Sequence, residues 1–471
     1  MKINKTLSIF LLCHLIIWSL LPIILRPNLP MDSAEALIWG MIGEWGTNKH
    51  PPLSGWLADW AWLIANKNPA AIYVLSQILV LGALGYIYKL ARCFLDSEKA
   101  LLATVLMEGI AYYNLVTPEY NCNIVALLLW PACTYYFYRG VKDNHLRDWL
   151  FFGIFAGLNM LNKYVSGALL LSLGLYLLAT PDGRLRLSSW KLYLSAVVAL
   201  SLFVPHFIWL YNRDFFVIDY FLGRASGNNL PFYLGHIVYP VKFLASQIMT
   251  SAPAVLILWW VYRHGGKAQS SLNSSQRRFI FFAGVLPLLI MTAVPLLSGV
   301  KLKSMWGSPA LYMLTISALS FFPFNYSAKR LLITAYGLML MFGCAFALQC
   351  VITLSPKFNL NAIEFSQSLS ADKITYVGGN IWLASTIGVY GTDNPRVLFL
   401  MAPENNPWIA INDVNAKGII AVAENIDEYN AYRYNFPRLS EPDVYSFTAR
   451  NIFGKSKEYK FYYGKLSGEQ Q

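Results

Sequence analysis

The loop that follows the first apolar segment carries MDSAEA at residues 31–36 and NKHPPLSGW at residues 48–56. These stretches place two acids, two basic side chains and a rigid Pro-Pro turn in one short segment. The charged side chains are concentrated directly after an apolar segment. The segment therefore indicates a functional site rather than a spacer.

The chain as a whole has the composition of a membrane protein. Of its 471 residues, 56% are hydrophobic and only 13% are charged, and the mean hydropathy is +0.43. One water-soluble core cannot hide so much apolar surface. The almost uninterrupted run from Leu7 to Leu25 is long enough to cross ~30 Å of hydrocarbon. A signal peptide is the alternative, but no small-residue cleavage site follows, so we predict a retained first helix.

Further apolar runs predict a polytopic α-helical membrane protein with about eleven transmembrane helices. If every run crosses, the basic residues of the connecting loops fall on one side, which we assign to the cytoplasm together with the N-terminus. The later runs lie near residues 70–92, 100–116, 122–138, 148–162, 164–180, 191–210, 243–262, 279–298, 305–322 and 331–353.

The composition changes after the last run, which divides the chain into a transmembrane domain (1–354) and a C-terminal domain (355–471). We predict that the second is a small periplasmic α/β domain. Its Gly378 and Gly379 lack the spacing and the acidic partner of a dinucleotide fingerprint. The predicted elements are strands at residues 373–379, 396–400 and 418–423 and a helix at residues 380–390.

The net charge of +12 does not indicate nucleic-acid binding, because the basic residues are spread over short loops without an Arg-rich groove. The six cysteines lie within or beside apolar runs in no metal-ligand or paired spacing. We therefore expect membrane lipids, and no nucleic acid, as partners.

Two acidic clusters lie on the predicted outer side. Asp32 and Glu35 are one helical turn apart, so their carboxylates project from neighbouring positions if the segment is helical. The alternative is that Asp32 only complements the dipole of a helix start. Glu119, Tyr120 and Asn121 precede the fourth run, at a depth where polar groups are costly unless used or paired.

Cations reach the same predicted face. Lys301 and Lys303 stand close to Trp306 in the loop before the tenth run, against the positive-inside bias. Snorkelling to phospholipid head groups is the alternative reading for each lysine. With Lys163, Arg213 and Arg224 added, acids and cations occur together, which suits an anionic phosphate ligand held near a carboxylate base.

The order of these elements resembles a known family. The chain has an acid after the first run, KHPPLSGWL at residues 49–57, an acid before the fourth run, KLKSMW at residues 301–306 and an external α/β tail. This arrangement resembles bacterial polyprenyl-phosphate-dependent glycosyltransferases of the C-type fold. They include lipid A aminoarabinose transferase and relatives of protein O-mannosyltransferases. The sharp motifs are confined to about residues 31–57, 117–123 and 301–309.

The resemblance implies roles for individual residues. Asp32 matches the acid of the family's first external loop, which activates or orients the acceptor, and Glu119 matches its second acid. His50 stands where the aminoarabinose transferase has a lysine near the carrier phosphate. Asp32 and Glu119 are therefore the expected catalytic residues. The expected substrate-binding residues are Glu35, Lys49, His50, Tyr120, Asn121, Lys163, Arg224, Lys301, Lys303 and Trp306.

The implied activity is transfer of a sugar from an undecaprenyl-phosphate donor to lipid A or another envelope glycolipid, at the periplasmic face of a bacterial inner membrane. A lipid-linked donor needs no nucleotide-binding loop, and no cofactor is expected. A divalent cation held by Asp32 and Glu119 is left open. The alternatives are a protein O-glycosyltransferase of the same fold and a lipid or sugar transporter. Transporters usually have repeat-related halves and polar groups near mid-bilayer, whereas the acids here cluster at one face.

Overall fold

The computed structural model describes residues 3–218, 230–267, 272–322, 324–325, 327–369 and 374–468. As predicted, the chain is a multi-pass membrane protein dominated by apolar helices. Within the described residues, six helices are long and apolar enough to cross a membrane: Asn4–Leu25, Ala71–Ala91, Trp190–Tyr211, Tyr233–His264, Ser274–Ser298 and Ala328–Ile352.

The other predicted runs are also helical, but they are shorter, more polar or interrupted. The fourth, fifth and sixth runs form the helices Cys122–Asp143, Leu146–Asn162 and Gly167–Ala179. The tenth run begins as the 3-10 helix Ser304–Met313 and continues as the α-helix Leu314–Phe321. The exact count of eleven crossings stays a prediction.

The third predicted run is broken by a buried carboxylate. The helix Ser97–Val105 gives way to 3-10 turns at Leu106–Gly109 and Ala111–Tyr113. The Glu108 side chain lies there, paired with His14 of the first helix, and the Asn114 amide donates to the carboxylate at 3.1 Å. A buried carboxylate needs such partners. The 3-10 turns bring the Asn114 amide to the Glu108 carboxylate, a contact that a continuous helix would not allow.

Short elements complete the helical region. The Ser274–Ser298 span contains a π-helical turn at Phe281–Val285, flanked by the α-helices Ser274–Ile280 and Leu286–Ser298. The helices at the first and eighth predicted runs extend over Ile3–Leu25 and Phe232–His264. The remaining elements are the 3-10 turn Tyr164–Ser166, the helix Pro181–Arg186 and the antiparallel two-residue strands Gly266–Lys267 and Phe324–Asn325.

Two short helices, Met31–Ile42 and Leu53–Ile64, follow the first span. The segment after Pro30 is helical, which was the condition for the carboxylates of Asp32 and Glu35 to project from neighbouring positions. The helices cross at Gly40 and Gly55, where a Cβ on Gly40 would lie 2.2 Å from the Gly55 carbonyl oxygen. Only glycine allows this approach, so the two helices form one rigid unit.

The C-terminal region contains a five-stranded mixed sheet. Tyr376–Gly379 pairs in parallel with Arg396–Phe399 on one side and with Ile419–Ala423 on the other. The three strands and the helix Ile381–Tyr390 agree with the sequence predictions. The antiparallel strands Asp443–Arg450 and Ser456–Leu466 extend the sheet beyond Ile419–Ala423 and were not predicted. The other elements are Pro356–Asn359, Ala362–Leu369, Pro403–Asn405, Ile411–Lys417 and Ile426–Asn435.

The C-terminal domain packs on the Met31–Ile42 helix. The Tyr390 hydroxyl accepts a hydrogen bond from the Leu29 N–H at 3.1 Å. A Cβ added to Gly388 would approach the Ile38 side chain to 2.7 Å, so the two helices are in close contact. We call this end of the helical region the domain face. The division of the chain at residue 354 stays a prediction.

Candidate functional site

Thr47 fixes the turn that carries Lys49 and His50. Its hydroxyl accepts hydrogen bonds from the backbone N–H groups of Lys49 and His50, at 3.1 and 2.9 Å. The Thr47 N–H donates to the His50 carbonyl at 3.0 Å. Pro51 and Pro52 then lead into the Leu53–Ile64 helix, at positions where a missing N–H costs little. Both basic side chains therefore leave the backbone at fixed positions.

Glu35 and Lys49 form a buried ion pair between the Met31–Ile42 helix and this turn. Lys49 Nζ lies 2.5 Å from Glu35 Oε1, and the Glu35 side chain is only 3% exposed. The same ammonium lies 5.8 Å from the centroid of the Trp39 ring, and the Trp39 indole donates to Asn48. Glu35, predicted to bind substrate, is thus held in place by Lys49.

Asp32 and Glu119 come together at the domain face. Asp32 is close enough to the Glu119 carboxylate for its charge to act on that group. Burial raises the pKa of Glu119, the negative charge of Asp32 raises it further, and Arg26 and Lys357 oppose the shift. The structure therefore unites the two acids that sequence analysis selected from separate loops, one of them in an environment that favours its neutral form.

The side chains that follow Glu119 hold the acid region in place. The Asn121 amide lies 3.5 Å from Asp32 Oδ2, and its carbonyl oxygen caps the Cys122–Asp143 helix by accepting from the Asn123 N–H. Tyr120 is fully buried, and its hydroxyl donates to the Ser54 carbonyl at 2.6 Å. Asn121 thus contacts an acid, whereas Tyr120 anchors this loop to the Leu53–Ile64 helix.

Lys163 links the acid region to a group of cations. It lies in the connection after the Leu146–Asn162 helix, with only 5% of its surface exposed. Its ammonium donates to Asn123 at 2.5 Å and lies 5.2 Å from the centroid of the Trp306 ring. Burial lowers the pKa of Lys163, and the nearby charge of Asp32 acts in the opposite direction.

Most of the predicted cationic residues line one cavity of about 430 Å³ beside the acids. The cavity joins the turn after the first span, the start of the sixth run and the loop before the tenth. The residues in it that were predicted from sequence are Lys49, His50, Lys163, Lys301, Lys303 and Trp306. The predicted Arg224 lies outside the described residues.

The rest of the cavity wall is apolar. Leu171 comes from the Gly167–Ala179 helix, and Ile290, Met291 and Val294 come from the Leu286–Ser298 helix. Both helices belong to the membrane region. The cavity therefore combines a cationic end at the domain face with an apolar wall that continues between membrane helices.

Sequence analysis missed a hydrogen-bonded pair at the cavity wall. Tyr164 lines the cavity, its hydroxyl lies 2.8 Å from His206 Nε2, and His206 Nδ1 lies 2.6 Å from the Trp45 carbonyl oxygen. The signal available in the sequence was His206 itself, a polar residue within an otherwise apolar run.

Metal binding at the acid pair stays a hypothesis. In the part of the chain that the structure describes, no group of three or more His, Cys, Asp and Glu side chains is placed to hold a metal ion. Asp32 and Glu119 alone supply two carboxylates, and hard divalent cations take six or more oxygen ligands, part of them water.

The whole chain superimposes on two crystal structures of ArnT from Cupriavidus metallidurans, one bound to undecaprenyl phosphate and one in the apo state. The alignments cover 98% and 99% of this chain and 99% of each ArnT chain, with TM-scores of 0.67 and 0.63. Sequence identities are 15% and 14%, so this likeness establishes the fold. The chain has the C-type glycosyltransferase fold, as predicted.

Sequence matches lead to the same class. The family model for dolichyl-phosphate-mannose-protein mannosyltransferase matches residues 49–209. RgtB and RgtA, lipopolysaccharide core galacturonosyltransferases of Rhizobium johnstonii, are 25% and 23% identical to this chain over 304 and 229 residues. The matches cover 61% and 48% of this chain, and the chain spans 59% and 46% of the two relatives. The predicted resemblance to membrane glycosyltransferases of this fold is confirmed.

Proposed function

We propose that this protein transfers a sugar from an undecaprenyl-phosphate-linked donor to an envelope glycolipid such as lipid A or the lipopolysaccharide core. The observation that carries the proposal is the cavity, which joins a cluster of lysines to an apolar wall between membrane helices. A polyprenyl phosphate has the same two parts, an anionic phosphate and a hydrocarbon chain. The bound undecaprenyl phosphate of the ArnT structure supports this donor class.

The lysines suit the carrier phosphate. Lys49, Lys163, Lys301 and Lys303 surround one space, with His50 beside them. Ammonium groups donate charge-assisted hydrogen bonds to phosphate oxygens. The phosphate gains negative charge as it leaves the sugar, so fixed cations stabilise the transition state more than the ground state.

The acids suit activation of the acceptor. In the proposed step, Asp32 takes the proton of an acceptor hydroxyl while its oxygen attacks the anomeric carbon. The bond between that carbon and the phosphate oxygen breaks, and the carrier phosphate leaves with the electron pair. Glu119, which lies near Asp32, orients the acceptor or the sugar.

The relatives favour a glycolipid acceptor, because both are named as transferases that act on the lipopolysaccharide core. The family description instead names protein mannosyl transfer, which makes a protein O-glycosyltransferase the second candidate. Both acceptors require the same donor cavity and the same acid, so the geometry supports either chemistry.

We further propose that the protein lies in a bacterial inner membrane with the N-terminus in the cytoplasm and the domain face in the periplasm. The basic loops supply the orientation, by the positive-inside bias. Alkaline phosphatase fused after Gln471 should then be active. A fluorescent cytoplasmic reporter that matures at the same position would refute the orientation and move the proposed site to the wrong compartment.

The direct test is mass spectrometry of envelope glycolipids from strains with and without the gene. Loss of one sugar from lipid A or the core, restored by the parent gene but not by an Asp32→Asn copy, is the expected result. Unchanged glycolipids together with loss of glycan from periplasmic proteins would favour the protein acceptor. Unchanged glycolipids and unchanged glycoproteins would refute the proposed activity.

A further inference from the structure

Tyr164 and His206 form a chain of hydrogen bonds that ends at the donor cavity and has no part in the proposed transfer step. Tyr164 is 36% exposed and lines the cavity, whereas His206 is fully buried. The chain runs from the Tyr164 hydroxyl to His206 Nε2, at 2.8 Å, and from His206 Nδ1 to the Trp45 carbonyl, at 2.6 Å.

The Trp45 carbonyl determines where the protons of this chain lie. A carbonyl oxygen can only accept, so His206 Nδ1 carries a hydrogen. The imidazole packs among the rings of Phe203, Trp209 and Tyr164. A charge in such surroundings is unfavourable, so the neutral imidazole is the stable form. His206 Nε2 is then an acceptor, and the Tyr164 hydroxyl must donate to it.

The loop that supplies the Trp45 carbonyl is itself fixed. The Glu44 carboxylate accepts from the Trp209 indole at 2.7 Å and from Arg213 at 3.3 Å. A Cβ on Gly46 would lie 2.4 Å from the Trp209 ring, so the backbone is pressed against that ring. The carbonyl cannot turn away without breaking these contacts, and the tautomer of His206 is therefore held.

With its proton committed to His206, the Tyr164 hydroxyl has only a lone pair left for a ligand in the cavity. Phosphate oxygens at neutral pH are acceptors, so they gain nothing from this group. A sugar hydroxyl is a donor and matches it. Tyr164 follows Lys163, whose ammonium lies between the cavity and the acid region. Tyr164 and the lysines line the same cavity, so a sugar joined to a phosphate at the lysines would lie in the space that Tyr164 borders.

We propose that Tyr164 is a specificity-determining residue that accepts a hydrogen bond from a hydroxyl group of the donor sugar. His206 acts as a positioning residue by taking the tyrosine proton. The inference rests on the proposed function, since it takes the cavity to be the donor site. It assigns the recognition of phosphate and of sugar to different side chains, the lysines and Tyr164.

The test is Tyr164→Phe, which removes one hydroxyl and keeps the ring. Two affinities are measured on detergent-purified protein, for undecaprenyl phosphate and for undecaprenyl phosphate carrying galacturonic acid or mannose, whichever binds the parent more tightly. We expect the variant to lose about 3- to 10-fold in affinity for the sugar-bearing lipid, as for one neutral hydrogen bond, with no change for undecaprenyl phosphate. Tyr193→Phe is the matched control, because the Tyr193 hydroxyl donates to the Leu187 carbonyl outside the cavity.

Three outcomes contradict the proposal. Equal weakening of both lipids would mean that Tyr164 supports the phosphate or the cavity as a whole. Unchanged affinity for both would mean that no sugar hydroxyl meets it. If the parent binds neither lipid, the donor assignment itself fails, and this result is seen before any variant is compared. Melting temperatures are measured alongside, and a moderate decrease is expected in Tyr164→Phe alone, because His206 Nε2 loses its buried donor.

Discussion

The acid region and the lysine cavity lie side by side at the domain face, yet they are built differently. Asp32 lies in the first turn of the Met31–Ile42 helix, and the loop that carries Glu119 reaches it through the Asn121 amide, 3.5 Å from Asp32 Oδ2. The lysines come from three separate connections and line one cavity. One region concentrates its chemistry in a single side chain, whereas the other distributes charge over several.

This difference predicts how each region responds to mutation. A proton acceptor has no substitute if only one carboxylate is placed to reach the acceptor hydroxyl. A phosphate surrounded by several ammonium groups keeps most of its stabilisation when one of them is removed. We therefore expect a large loss of turnover when Asp32 is replaced, and smaller losses of donor affinity when single lysines are replaced.

The largest expected effect is that of Asp32→Asn. The amide keeps the shape of the side chain but cannot accept the proton, and loss of a catalytic base commonly lowers the rate by ~10²–10⁴. Turnover of a defined lipid-linked donor by purified protein is the measurement. Donor affinity should be unchanged, as should turnover in Asp427→Asn, an exposed acid on the C-terminal domain. Parent-like turnover in Asp32→Asn would remove this residue from the mechanism.

Lys49 should show the next largest effect, because it belongs to both regions. Lys49→Ala removes the cation that pairs with the buried Glu35 carboxylate, and breaking a buried ion pair typically costs ~3–5 kcal/mol of stability. The double variant Glu35→Gln with Lys49→Met removes both charges and should recover most of the melting temperature, but not the donor affinity. If it recovers both, Lys49 serves only to neutralise Glu35 and does not bind the phosphate.

Lys303→Ala and Lys301→Ala should each weaken donor binding, by up to the ~1.5–3 kcal/mol of a hydrogen bond to a charged group. Lys303→Ala should lose more donor affinity than Lys301→Ala, because Lys303 is half-buried and Lys301 is exposed. Arginine at either site should rescue in part, since the charge is kept but the geometry differs. Lys242→Ala, an exposed lysine outside the cavity wall, is the control. Parent-like affinity in both cavity variants would favour snorkelling to lipid head groups.

Glu119→Gln should have the smallest effect, with turnover lowered about tenfold, equivalent to ~1.4 kcal/mol of barrier. Because the folded-state pKa of Glu119 is raised, the folded state binds this proton more tightly than the unfolded state. Its contribution to stability is then present at low pH and is lost as the pH rises through the folded-state pKa. The Gln variant should therefore melt no lower than the parent at neutral pH and depend less on pH above ~4.5. A lower melting temperature at neutral pH would contradict this.

Much of the site could be predicted because its residues stand next to recognisable local signals. The Met31–Ile42 helix begins after Pro30 and Asn121 caps the Cys122–Asp143 helix, so Asp32 and Glu119 both lie beside helix starts. The parallel strands Tyr376–Gly379 and Ile419–Ala423 are short apolar runs bounded by polar or glycine residues.

Other parts depend on partners far away in the chain. The third run contains Glu108, and only its contacts with His14 and Asn114 explain why that run is not one helix. The strands Asp443–Arg450 and Ser456–Leu466 are largely exposed, so they lack the apolar runs that marked the central strands. The ion pair between Glu35 and Lys49 likewise cannot be predicted from the pattern of residue types.

The sequence by itself determined that the chain is a membrane protein, which loops carry acids and cations, and that a small α/β domain follows. These properties follow from hydropathy, charge and local capping, which depend on residues close together in the chain. Only the tertiary structure decided that lysines from three connections enclose one cavity with an apolar wall, and that His206 takes the Tyr164 proton. Such contacts join residues up to hundreds of positions apart, and the free energy of burying and pairing them is set by neighbours that no local pattern identifies.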